Sequence, residues 1–198
     1  MILYNLKSSR PLYHAPLRLV KTKEYGLYGG SFNPFHQGHK AVADYALQSL
    51  GLHKIIWLVT PHNPFKDINL YSPFNQRLEQ VKKHITNPYY IISDIEHMIH
   101  SKNTYQTLLY LTQCYSKIKF TYIIGSDSLS HLHTWHFFKE FGELVKIAII
   151  VRPTHRFCIN GFGAIRYFKQ HNIHYDLLLK PFQFISSTEI RNRLSENK

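Results

Sequence analysis

Short apolar runs separated by longer helical patterns predict an α/β fold, a doubly wound parallel sheet within a single domain. The runs lack the alternation of a half-solvated strand, as strands covered on both faces require, and the stretches between them are long enough for crossover helices. A length of 198 residues normally makes one domain and buries a core without disulfide staples.

Residues 1–23 hold Pro11, Pro16 and the basic residues Lys7, Arg10, Arg18, Lys21 and Lys23 without periodicity. They are expected to form a basic N-terminal extension, leaving residues 24–198 as the folded domain. The acid-free stretch overlaps in character with a transit peptide, but the two prolines break the amphipathic helix such a signal needs. From there YGLYG at 25–29 reads as the first strand, followed by a glycine- and histidine-rich loop at 29–40. AVADYALQSL then places Ala43, Ala46, Leu47 and Leu50 on one helical face, with Gly51 as the stop. KIIWLVT at 54–60 is a buried strand, and a proline-containing loop leads to a helix over about 75–84. YYII at 89–92, FTYIIG at 120–125 and KIAIIV at 146–151 are the next strands, with a helix at 105–115 between the first two. A helix at 164–171, the strand YDLLL at 175–179 and a final helix after Ser186 complete the pattern.

The composition excludes several classes. No apolar run approaches the roughly 20 residues of a membrane span. Cys114 and Cys158 stand far apart and in no CxxC pattern, which argues against a disulfide framework or a zinc site and fits a reducing cytoplasm. The net charge of +12 favours anionic partners, but no basic stripe interleaved with aromatics points to nucleic acid. Substrates carrying several phosphates would exert the same attraction.

Three motifs carry chemistry. In GGSFNPFHQGHK at 29–40, Gly29 and Gly30 are expected to free the backbone so that amides approach an anion. His36 and His39 stand just before a helix, whose unpaired N–H groups and dipole attract phosphate. The loop has neither GxxxxGK[ST] nor GxGxxG, so a nucleotide would be held by another device. In ISSTEIR at 185–191, Ser186 and Glu189 form a capping box, and hydroxyls at the helix start with Arg191 one turn in would also suit an anion. In GSDSLSHLHTW at 125–135, Asp127 at a strand end can accept two hydrogen bonds from a ribose diol or cap the following helix. Trp135 can stack on a flat heterocycle or fill the core.

Taken together in this order, the HxGH loop, the GSDS segment with its tryptophan, and ISSTEIR resemble the nicotinate mononucleotide adenylyltransferases of NAD synthesis, within the HxGH nucleotidyltransferase superfamily. The likeness spans about residues 25–194. It implies a Rossmann-like nucleotidyltransferase fold and, as catalytic residues, His36, His39 and Arg191. It implies ATP binding by Gly29, Gly30, Ser31, Phe32, Gly125, Asp127, Ser187 and Thr188, and mononucleotide binding by Lys66, Thr104, Trp135 and His136. The chain departs from the pattern of many bacterial members at Ser31, Asn33 and Asn103, where those often carry Thr, Asp and Tyr.

The reaction so implied transfers AMP from ATP, accompanied by Mg²⁺, to nicotinate mononucleotide, giving nicotinate adenine dinucleotide and pyrophosphate in the cytoplasm. No protein-held metal is expected, the partners are these small molecules, and assembly into a homo-oligomer stays open. The rival within the superfamily is a phosphopantetheine adenylyltransferase, which typically has Thr where this chain has His36. Outside it, the rival is a nucleotide- or RNA-binding module without catalysis.

Overall fold

The computed structural model describes residues 17–61 and 72–179. Within them six strands form one sheet: β1 (Glu24–Gly30), β2 (Lys54–Val59), β3 (Tyr90–Ser93), β4 (Lys119–Gly125), β5 (Lys146–Val151) and β6 (Tyr175–Leu179). The order is β3-β2-β1-β4-β5-β6, and every neighbouring pair is parallel. Strand order therefore reverses between β1 and β4, the place where this architecture opens a crevice beyond the carboxyl ends of its strands.

Alternate strand residues feed two cores, because successive side chains point to opposite faces. Tyr28, Ile55, Trp57, Val59 and Ile123 pack on one face against Val42, Ala43 and Ala46 of α1 (Gln37–Ser49) and Leu78 and Val81 of α2 (Phe74–His84). Leu27, Leu58, Tyr122, Ile124 and Ile149 pack on the other, where α4 (Thr104–Cys114) supplies Leu108 and Leu111. That second face also receives Leu129 and Leu132 of α5 (Ser126–Leu132) and Ile165 and Phe168 of α7 (Gly163–Gln170). Short helices α3 (Ile95–Met98) and α6 (Phe141–Leu144) fill connections. Leu17 and Leu19, just before β1, also pack against the second core. No helix among the described residues is long and apolar enough to cross a membrane.

The first core is tight where β1 passes α1. A Cβ built on Gly26 would lie 2.7 Å from Ile123 Cδ1, 2.8 Å from Leu52 Cδ1 and 3.0 Å from Ile55 Cγ1, so three buried side chains would have to move to accept it. Gly26→Ala is expected to lower stability by about 1–3 kcal/mol through overpacking, seen as a lower urea midpoint at unchanged slope. An unchanged midpoint would show that the neighbours yield without cost.

Candidate active site

The carboxyl ends of β1 and β4 open onto a cleft of ≈ 710 Å³, within the range of small-molecule sites. Its lining contains Gly29, Gly30, Ser31, Phe32, His36, His39, Thr104, Gly125, Asp127, Trp135 and His136. Residues up to 107 positions apart, from the 29–40 loop, the 125–135 segment and, outside those motifs, Thr104 and His136, thus face one space. Lys66, Ser187, Thr188, Arg191 and the final helix expected after Ser186 lie outside the described residues.

The histidines do not sit in a loop ahead of the helix. α1 begins at Gln37, four residues before its apolar periodicity starts, with His36 as an extended N-cap (φ −150°, ψ 165°) and His39 in the first turn. Neither is a usual capping residue, but His39 Nδ1 accepts a hydrogen bond from the His36 backbone N–H at 3.2 Å, the reach-back half of a capping box. The two rings stack with centroids 3.7 Å apart. With Nδ1 accepting, neutral His39 carries its ring proton on Nε2, so it can act as a donor to an anion. The helix start adds its own N–H groups and dipole in the same place.

Gly29 and Gly30 act by size rather than by conformational freedom. Both belong to β1, and Gly51 is the only described glycine with positive φ (60°), at the end of α1. A Cβ on Gly29 would lie 3.1 Å from the Tyr122 hydroxyl, and one on Gly30 would lie 3.0 Å from the Phe32 ring. The missing side chains let these groups close in on the cleft floor. The residue of this loop with positive φ is Phe32, at 46°. Asn33, the uncharged departure from the bacterial pattern, uses its Oδ1 to accept from the Ser72 N–H at 3.2 Å and so ties the loop to the approach of α2.

Asp127 stands in the first turn of α5, whose N-cap is Gly125, and it does not cap that helix. Its carboxylate instead pairs with Arg152, just beyond β5, at 2.8 Å, with His155 Nδ1 at 3.6 Å. A carboxylate has about four acceptor sites, so this pairing leaves capacity for a diol. Trp135 packs edge-on toward Phe141, with ring centroids 6.2 Å apart, and also lines the cleft.

Several cleft groups were not singled out from the sequence. Tyr28 and Tyr122 come from within the strand runs, where nothing marks them as site residues; burial pushes both phenols well above the ordinary tyrosine value. Arg152 has a legible position, directly after an apolar strand, but no motif marks it. Glu96 in α3 is 6% exposed, and burial, set against hydrogen bonds to Thr60 and Thr107, lifts its carboxyl from 4.5 to about 7. Because the folded form prefers the protonated acid, Glu96 leaves stability intact below pH 4.5 and erodes it as pH climbs through about 7, by roughly 3 kcal/mol in full. Glu96→Gln is expected to remove that erosion: urea titrations at pH 5 and pH 8 would show the variant gaining on wild type at the higher pH. Parallel pH profiles for the two proteins would contradict it.

Among the described residues no group of three His, Cys, Asp or Glu side chains could hold a metal. Asp127 is engaged by Arg152 and Glu96 is buried among hydroxyls, so the donors facing the cleft suit an anion better than a cation.

Comparison with known proteins follows the same direction. The family model for cytidylyltransferase-like proteins matches residues 27–193. A Ruegeria sp. (strain TM1040) protein described as "Probable nicotinate-nucleotide adenylyltransferase" is 34% identical over 182 residues, covering 85% of this chain and 96% of its own. One of the same description from Methylorubrum extorquens (strain PA1) is 35% identical over 182 residues, covering 85% and 98%. The solved structure of Plasmodium falciparum nicotinic acid mononucleotide adenylyltransferase complexed with NaAD superposes with a TM-score of 0.71 at 24% identity, over 86% of this chain and 83% of that one.

Proposed function

Because the chain belongs to the nicotinate-nucleotide adenylyltransferases of the cytidylyltransferase-like family, we propose that its cleft joins ATP to nicotinate mononucleotide, forming nicotinate adenine dinucleotide and pyrophosphate. The observation that carries this reading is the convergence of the α1 start, the α5 start and Trp135 on one crevice at the reversal of strand order.

The attacking group is a phosphate monoester, largely dianionic at neutral pH because its second pKa is near 6, so no general base is needed. Its oxygen bonds to the α-phosphorus of ATP as the bond to the β-phosphate oxygen breaks, and pyrophosphate leaves with that electron pair. The enzyme's part is to align two polyanions and to neutralise the charge that moves onto the leaving group. His36 and His39, the amides at the α1 start and Arg191, with Ser187 and Thr188, serve the triphosphate. Asp127 serves the adenosine ribose. Trp135 stacks on the pyridine ring, with Thr104, His136 and Lys66 around the mononucleotide. Mg²⁺, a hard cation with oxygen ligands, arrives on the phosphate oxygens of ATP as part of the substrate and lowers their charge. The reaction is placed in the cytoplasm, on small-molecule substrates.

The test is incubation with ATP, Mg²⁺ and nicotinate mononucleotide. Release of pyrophosphate together with the dinucleotide is expected. Binding of ATP without turnover would favour a non-catalytic module, and turnover only with phosphopantetheine would favour the rival transferase. Nicotinamide mononucleotide in a parallel assay measures the preference between acid and amide.

A further inference from the structure

We propose that Tyr105 and Phe137 form an aromatic clasp that positions the mononucleotide end of the cleft, holding the wall made by Trp135 and His136 opposite Thr104. The inference rests on the function proposed above and adds two positioning residues to it.

One side of that end is the start of α4. Asn103 Oδ1 caps the helix by accepting from the Gln106 N–H at 3.0 Å, Gln106 Oε1 accepts from the Lys102 N–H at 2.9 Å, and Ser101 Oγ donates to the Asn103 carbonyl at 2.8 Å. Side-chain bonds therefore fasten the chain on both sides of Thr104. Tyr105, the next residue, packs against the second core and stands on that fixed base. The other side is the turn after α5. The Thr134 and Trp135 N–H groups donate to the His131 and Leu132 carbonyls at 3.0 and 2.9 Å, and the Phe138 N–H donates to the Trp135 carbonyl at a longer 3.3 Å. Thr104, Trp135 and His136 line the cleft, while Tyr105 and Phe137 stand immediately behind them in sequence.

Phe137 has left-handed backbone, at φ 59° and ψ 29°. A half-exposed phenylalanine needs no explanation by itself. A bulky L-residue in this conformation does, because such strain persists where the surroundings over-determine it. The turn lets Phe138 enter the second core and sends the Phe137 ring to Tyr105, with centroids 5.0 Å apart and planes inclined by 31°. That spacing lies in the range over which aromatic rings attract, and what a ring pair returns is of the same order as what left-handed backbone costs. The pair thus holds a segment that would otherwise relax to ordinary backbone, carrying Trp135 and His136 with it. A site whose competent form is populated in part binds its ligand more weakly by that fraction.

Phe137→Ala, Tyr105→Ala, the double variant and Phe137→Tyr should be compared with wild type in steady-state assays varying ATP and nicotinate mononucleotide separately. The expected result is a rise of about fivefold in KM for the mononucleotide in Phe137→Ala, the size of a lost ring pair, with KM for ATP within about twofold. Tyr105→Ala should show the same split. The double variant should lose no more than the larger single effect, because either change alone already opens the clasp. Phe137→Tyr keeps the ring and should behave as wild type. Since Phe137 is half-exposed, its two variants decide the matter if Tyr105→Ala does not fold. An unchanged mononucleotide KM in Phe137→Ala, equal changes in both KM values, multiplying effects in the double variant, or failure of Phe137→Tyr to match wild type would overturn the role. Wild type without turnover on these substrates would instead reject the underlying function.

Discussion

His39→Ala is expected to lose about a hundredfold or more in kcat, roughly 3 kcal/mol of transition-state stabilisation, while the protein remains folded. The imidazole is held in place by local structure: Nδ1 accepts from the His36 N–H, the ring stacks on His36, and its edge meets Phe32 at 5.0 Å. That arrangement directs Nε2–H as the donor and makes the group preorganised, which is what a site stabilising moving phosphate charge needs. The same contacts give His39 a structural share, since loss of a cap contact costs about 0.5–2 kcal/mol. His39→Glu separates the two. A glutamate at this helix position reaches back to the cap N–H as the histidine does, so stability should be kept, but its charge repels the triphosphate and turnover should fall at least as far as in the alanine variant. Stability measured by thermal melting beside kcat checks both halves. Near wild-type kcat in His39→Ala would reject the assignment.

The largest expected loss of stability follows removal of Arg77. This side chain of α2 is 1% exposed and its guanidinium donates to four backbone carbonyls: Ser31 at 2.6 Å, Thr60 at 2.8 Å, Pro61 at 2.6 Å and Ser72 at 3.0 Å. A planar fork with five donors can span these four acceptors; a lysine cannot. Truncation leaves buried carbonyls without partners, each costing about 1–3 kcal/mol, so Arg77→Ala is expected to lose at least about 3 kcal/mol. Arg77→Lys should recover only part of that. Because Ser31 follows the two glycines of the cleft floor, kcat/KM should fall in both variants under conditions where they are still folded. Urea denaturation measures the first effect, and a loss below about 1 kcal/mol would show that the carbonyls find other donors.

What could be read from the sequence depended on whether the signal was local. The runs KIAIIV and YDLLL gave β5 and β6 with their ends correct: β5 is a continuous apolar run because it is buried on both faces, while β6 is a half-exposed edge strand whose short apolar run stands out from the polar residues around it. The start of α1 was not legible from periodicity, because its first turn carries Gly38 and two capping histidines instead of apolar residues. α3 and α6, at four residues each, are too short to show any period. The cleft divides in the same way. His36, His39, Asp127 and Trp135 stand in compact motifs that announce themselves. Arg77 and Glu96 stand in segments with no distinguishing pattern. Their work consists of contacts to residues that chain topology brings close, such as Ser31, 46 positions before Arg77. Tyr28 and Tyr122 lie inside the expected strand runs and are buried, and only the folded arrangement of the strand ends shows that the same residues also floor the cleft.

The central claim is that the beginning of α1 and the segment at 186–191 grip one triphosphate. The most direct measurement is a crystal structure of the enzyme with a non-hydrolysable ATP analogue and nicotinate mononucleotide. The account predicts His36, His39 and Arg191 within hydrogen-bond distance of the same triphosphate, with the adenosine ribose hydroxyls on Asp127. A triphosphate held away from the α1 start, or one that Arg191 does not reach, would contradict it.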